Sequence, residues 1–119
     1  MGSEMCIRDR AITQLAQRVA EIVERARLGR LTASDQQPAA ITISNLGMYD
    51  VTAFTAMVTP PQVMVLSVGM IQTQPVWDPD TRAFEPKECL DVTLGCDHRW
   101  INGAQGAQLL KALAEFLQG

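Results

Sequence analysis

The stretch Leu90-Asp91-Val92-Thr93-Leu94-Gly95-Cys96-Asp97-His98-Arg99-Trp100-Ile101-Asn102-Gly103 decides the fold. Leu90, Val92, Leu94 and Cys96 fall on one side of a period-two pattern, with Asp91, Thr93 and Gly95 on the other, which predicts a half-buried strand. By the same parity His98 points with the apolar set if the strand runs on that far. Asn102, with Gln105 three residues later, has the spacing of a capping box. It opens a helix over Gly103 to Leu117, whose stripe is Leu109, Leu110, Leu113, Phe116 and Leu117. Ala104, Ala107, Ala112 and Ala114 let neighbours approach that helix closely.

Upstream, Asp78-Pro79-Asp80-Thr81 marks a turn between Val76-Trp77 and Ala83-Phe84, the signature of a hairpin. Gln62 to Ile71 reads as a buried strand, and Pro60-Pro61 before it predicts extended backbone. Tyr49 to Thr59 reads as a loop with a short helix. The β-branched run Ala40-Ile41-Thr42-Ile43-Ser44 predicts a strand stopped by Asn45-Leu46-Gly47, so Ser44 lies at a strand end. Ala11 to Leu28 has apolar residues at three and four, with arginines and glutamates opposite, and Gly29 to terminate it: an amphipathic helix followed by a polar connection, Leu31 to Pro38. Helix, strands, helix gives an α+β layer with an antiparallel or mixed sheet.

The chain has 119 residues and 13.0 kDa, which allows one domain at most. Its 47% hydrophobic and 19% charged composition suits a folded core. A net charge of -3 leaves no basic field for a phosphate backbone, so nucleic acid is not an expected partner. Three cysteines, Cys6, Cys89 and Cys96, include no CxxC pair and point to a reducing compartment. The longest apolar run, Val63 to Ile71, falls far short of the roughly 20 residues of a membrane span. Residues 1–10 place charge where an export signal needs an apolar stretch, and are read as a non-native leader.

The single histidine, His98, stands between the best strand and a capped helix, where a scaffold presents catalytic groups, and imidazole's ordinary pKa of about 6.5 suits proton transfer. The pattern alone leaves two roles open for it: proton transfer, or a structural ring satisfied by Asp97 or the backbone. Asp97 and Arg99 read equally as an ion pair, Asn102 as a helix cap, and Ser44 as turn chemistry outside any Gly-x-Ser-x-Gly elbow. Cys96 belongs by parity to the buried side, where a thiol behaves as a small hydrophobe. One histidine with scattered carboxylates offers no metal-ligand spacing, and phosphate-loop and dinucleotide fingerprints are missing.

Cys96-Asp97-His98-Arg99-Trp100-Ile101-Asn102-Gly103-Ala104 resembles the Asp-His-Arg-x-x-[Asp/Asn]-Gly motif of the dihydrolipoyl acyltransferases of 2-oxo acid dehydrogenase complexes. Thr42-Ile43-Ser44-Asn45-Leu46-Gly47 is similar to a second family segment, followed in order by Phe54-Thr55 and Pro60-Pro61-Gln62. Pro75-Val76-Trp77-Asp78 resembles members serving the pyruvate complex. Asn102 stands where Asp is usual, and Trp100 where a small aliphatic is usual.

The resemblance implies a chloramphenicol acetyltransferase-like two-layer α/β sandwich with a mixed sheet, of which residues 11–119 are the C-terminal half of the catalytic domain. It implies acyl transfer, of acetyl in the pyruvate complex, between dihydrolipoamide and coenzyme A, both as substrates and with no metal. His98 is then the base, Ser44 the oxyanion donor and Asn102 a shaper of the histidine loop. The implied partners are two further copies in a homotrimer that builds a larger core, a lipoyl domain, and the dehydrogenase subunits. The location is the cytoplasm of a bacterium or the mitochondrial matrix of a eukaryote. The competing expectation is an assembly module or truncated fragment that keeps the fold without turning over.

Overall fold

A computed structural model describes residues 11–119, so the expected leader and Cys6 lie outside the described residues. The chain divides into two compact units, one ending at Ala39 and the other spanning Ala40–Gly119.

In the first unit, the predicted amphipathic helix is present as Ile12–Arg27 (α1). Gly29 takes a left-handed φ of +66°, as the helix-ending glycine requires. The polar connection is not a loose linker, because Asp35 receives both Nε and Nη2 of Arg25 at 3.0 and 2.7 Å and ties the turn to the helix. Those bonds, led by the Arg25 side chain, hold the Asp35 carboxyl well below the usual carboxylate range.

The second unit contains the strands Ile41–Asn45 (β1), Met64–Val68 (β2), Gln72–Asp78 (β3), Ala83–Cys89 (β4) and Val92–Cys96 (β5), then the helix Gly103–Gln118 (α2). β2 is central, parallel to β1 and antiparallel to β5, so the sheet is mixed as expected. β3 and β4 form the expected hairpin, longer than its turn signal suggested, with Trp77 and Phe84 edge to face across it at 5.2 Å.

Register assigns the two faces of the mixed sheet. One carries Ile43, Leu66 and Leu94, with Met64 and Cys96 beside them; the other carries Thr42, Ser44, Val65, Ser67, Thr93 and Gly95. α2 covers the first face at Leu94 and Cys96. Gly106 makes this possible, since a Cβ there would stand 3.2 Å from Cys96 Sγ. The second face is covered by an irregular strap, residues 51–63. Its Val51 carbonyl accepts from Met70 N at 2.8 Å, and its Ala56 N donates to Ser67 Oγ at 3.2 Å. At Gly69 a Cβ would lie only 1.8 Å from the Thr52 carbonyl oxygen, so the strap requires glycine there. The core lies beneath the strap, where Val65 is 4% and Ser67 2% exposed.

Several expectations are corrected in detail. Pro60-Pro61 is not extended; it is a cis peptide in a turn closed by Gln62 N on the Thr59 carbonyl at 3.1 Å. The short helix precedes the expected loop, as one 3₁₀ turn at Gly47–Tyr49, and residues 51–59 are irregular. β5 starts at Val92 rather than Leu90 and is part-buried on both faces, because the strap lies over Gly95 while α2 lies over Leu94.

Candidate active site

β5 delivers its last pairing bond through Asp97, whose N–H donates to the Val63 carbonyl at 2.8 Å. Asp97 then organises the loop that follows. Its carbonyl accepts from Trp100 N and Ile101 N, both at 3.0 Å, and its Oδ1 accepts from Arg99 N at 3.0 Å. The Arg99 guanidinium closes on the same carboxylate, with Nε 3.0 and 3.2 Å from the two oxygens and Nη2 2.7 Å from Oδ2. These bonds, the Arg99 side chain first and its backbone N–H second, hold the Asp97 carboxyl below the usual range, and the same pairing raises Arg99. The predicted ion pair is therefore real, and it locks the turn on which His98 sits.

His98 is exposed at the apex of this turn. It lines a cavity of about 280 Å³ with Leu94 and Cys96 of β5, Ile101, Asn102, and Leu110 of α2. β5 ends at Cys96, short of His98, so the parity argument does not reach the histidine; the turn after the strand brings it to the cavity that Leu94 and Cys96 line. Asn102 caps α2 as expected, its Oδ1 accepting from Gln105 N at 2.9 Å while Gln105 Oε1 accepts from Asn102 N at 3.0 Å. The capping box thus fixes both the start of the helix and the rim of the cavity. Among the described residues, the imidazole is the cavity's single titratable nitrogen and no cationic side chain lines it. Such walls suit the uncharged reacting end of a ligand rather than its phosphates.

Ser44 is elsewhere. It sits in β1 on the strap side of the sheet, in one row with Ser67 and Thr93, and β2 stands between its strand and β5. Within one chain, His98 and Asn102 are brought together and Ser44 is not.

A second cavity, of about 450 Å³, lies between Pro60-Pro61 and Asp97, Arg99 and Trp100, and His98 is not among its lining residues. Sequence reading missed Gly106, which admits α2 to β5; the signal was a glycine inside an otherwise apolar helix. It also missed Ser67, a polar residue in an apolar run. Among the described residues, no group of three or more His, Cys, Asp or Glu could hold a metal ion, and no helix is long and apolar enough to cross a membrane.

The described unit is thus a mixed sheet backed by one capped helix, with a histidine turn at the end of its antiparallel strand. The family model for the 2-oxoacid dehydrogenases acyltransferase (catalytic domain) matches residues 6–119, and the chain belongs to that family. Among curated relatives, the dihydrolipoyllysine-residue acetyltransferase component of the pyruvate dehydrogenase complex of Azotobacter vinelandii is 44% identical over 108 residues, 91% of this chain and 17% of that protein. The mitochondrial counterpart from Dictyostelium discoideum is 37% identical over 92% of this chain and 17% of its own length.

Among solved structures, the dihydrolipoamide acetyltransferase of Azotobacter vinelandii superposes with a TM-score of 0.84 at 42% identity, over 92% of this chain and 44% of that one. The roles of a serine, a histidine and an asparagine in its catalytic mechanism were investigated there; the asparagine follows the histidine by 4 residues and the serine precedes it by 52. The cubic core of a pyruvate dehydrogenase multienzyme complex also superposes at 0.84, with 43% identity over 92% of this chain and 44% of that one. The chain thus spans less than half of these solved chains and about a fifth of the curated relatives.

Proposed function

We propose that this chain carries the C-terminal half of an acyltransferase site that moves an acetyl group between dihydrolipoamide and coenzyme A in a pyruvate dehydrogenase complex. The observation that carries the reading is His98, which stands in the turn closed by the Asp97–Arg99 pair and lines a cavity without cationic side chains together with Asn102. The spacing of four between His98 and Asn102 equals that of the histidine and asparagine investigated in the Azotobacter enzyme, and Ser44 precedes His98 by 54 residues where the serine there precedes by 52.

A free thiol has a pKa of about 8.5 and is mostly protonated at neutral pH, so its attack on a thioester gains from a base that takes the proton as the bond forms. His98 is that base. Attack turns the carbonyl oxygen into an oxyanion, and one preorganised donor lowers such a barrier by about 3 kcal/mol. Ser44 is that donor, and because its own chain keeps it on the opposite face, it comes from a neighbouring copy. No acyl-enzyme is needed: thiolate sulfur bonds to the carbonyl carbon, the tetrahedral intermediate collapses, and the departing sulfur takes the proton back from His98. Asn102 shapes the cavity rim while capping α2.

The same reading makes the functional unit a homotrimer in a larger core, served by a lipoyl domain and the dehydrogenase subunits, in the bacterial cytoplasm or the mitochondrial matrix. It is tested by His98→Ala in the full-length protein. The expected result is loss of acetyl transfer to coenzyme A by about 10²- to 10⁴-fold with the assembly intact; unchanged turnover refutes the assignment.

A further inference from the structure

We infer that Thr42 and Gln62 are positioning residues for Ser44: the hydrogen bond between them fixes the roll of β1 about its own axis, and with it the direction of the Ser44 hydroxyl. The inference rests on the reading of Ser44 as the oxyanion donor that meets a neighbouring copy's histidine. β1 is an edge strand, laddered to β2 on one side only, so it is less restrained than a central strand. Among the described residues, Thr42 Oγ1 donating to Gln62 Oε1 is the one side-chain hydrogen bond that ties β1 to a distant part of the chain. Thr42 and Ser44 stand two residues apart, so their side chains leave the same face about 7 Å from each other along the strand. Both are half-buried there, while Ile41, Ile43 and Asn45 on the other face are exposed.

Gln62 is itself anchored. Its N–H donates to the Thr59 carbonyl at 3.1 Å, and the N–H groups of Val63 and Met64 donate to the Ala40 carbonyl at 3.0 and 3.2 Å. The grip on β1 therefore has a backbone base at Ala40 and a side-chain arm at Thr42, on the face that carries Ser44. Ser44 is not tied to its register neighbour Ser67, whose oxygen accepts from Ala56 N at 3.2 Å, so the lie of β1 is what aims it. Neither Thr42 nor Gln62 meets substrate in this arrangement. An oxyanion donor acts in the transition state alone, so a loosened strand lowers kcat and spares KM. Gln62 also lines the cavity beside Asp97 and Arg99, which makes the histidine turn the rival target of any change there.

The test reads kcat and KM for acetyl transfer to coenzyme A in full-length chains. Thr42→Val removes the hydroxyl with the shape kept, and Gln62→Met removes the amide. Each is expected to lower kcat about three- to tenfold with KM unchanged, the scale of one hydrogen bond. The double variant should be no slower than either single one, and Thr42→Ser, which keeps the donor, should hold the parental kcat. Additive losses, or none, overturn the inference. Mixed reassembly then separates the serine from the histidine: His98→Ala chains, which supply only the serine, are combined with Ser44→Ala chains, which supply only the histidine. Thr42→Val in the serine-supplying chain should lower the recovered kcat by the same factor, and in the histidine-supplying chain it should add no loss. Equal losses in both placements, or a loss in the second alone, overturn the inference, since a general structural role or an effect on the histidine turn behaves that way. If the mixture without Thr42→Val recovers no activity, the reading of a shared site fails and this inference falls with it.

Discussion

Ser44 and His98 lie toward opposite sides of one mixed sheet: Ser44 shares its row with Ser67 and Thr93, whereas His98, in the turn after β5, lines the α2 side with Leu94 and Cys96. A single copy therefore cannot close both groups on one substrate without breaking the sheet. If both act in one reaction, the site is made between copies.

Ser44→Ala separates binding from turnover. On the proposed function the hydroxyl acts on charge that exists only in the transition state, so kcat should fall by about 10²- to 10³-fold while KM stays within error. Steady-state kinetics of the full-length variant decide it, and a change in KM alone contradicts the role.

Asp97→Asn tests the lock under His98. A carboxamide keeps the backbone turn but loses the two-oxygen grip on the guanidinium, and misplacing the imidazole by about 1 Å costs up to about 10²-fold in rate. We expect a ten- to a hundredfold lower kcat. The pH sign follows from the direction of the shift. A folded carboxyl held below its unfolded value of about 3.9 stabilises the native state fully above that value and loses its contribution as pH falls through the lower folded one. Acid unfolding followed by circular dichroism should therefore begin at higher pH in Asp97→Asn than in the parent, and coincident acid limbs would refute the pairing.

Gly106→Val tests how α2 reaches the sheet. Its Cβ would already press on Cys96 Sγ at 3.2 Å, and the added methyls reach toward Leu94. Overpacking of this kind costs about 1 to 3 kcal/mol, visible as a lower urea midpoint, and it narrows the histidine cavity. An unchanged midpoint would show that the helix can shift away freely.

Asn102→Ala removes the cap. A loss of about 1 kcal/mol in stability is expected, with Asn102→Asp restoring it because the carboxylate oxygen accepts the same Gln105 N–H. Equal stability of all three proteins would place the worth of Asn102 wholly in the site.

Much of this was legible beforehand. Local chemistry sufficed for α1, for β1, for the β5–loop–α2 passage and for the capping box, since in each the pattern of neighbouring residues agrees with the final contacts. The parity of β5 held for Leu94 and Cys96 but ends there, two residues before His98. What escaped was non-local. Pro60-Pro61 lies in a turn set by the Thr59–Gln62 bond, and β5 is covered on both faces because a strap from residues 51–63 crosses it. Ser67 stands in a strand otherwise built of Met, Val and Leu, and only register places it beside Ser44. The separation of Ser44 from His98 is likewise a fact of strand order, invisible to any reading of either motif by itself.

The shared site is tested most directly by mixing. His98→Ala and Ser44→Ala full-length chains, each nearly inactive alone, are unfolded together in equal amounts and reassembled. A site built from the histidine of one copy and the serine of the next should recover about a quarter of parental acetyl transfer, because that fraction of contacts unites two intact groups. Activity no greater than that of the two variants reassembled separately would contradict the account.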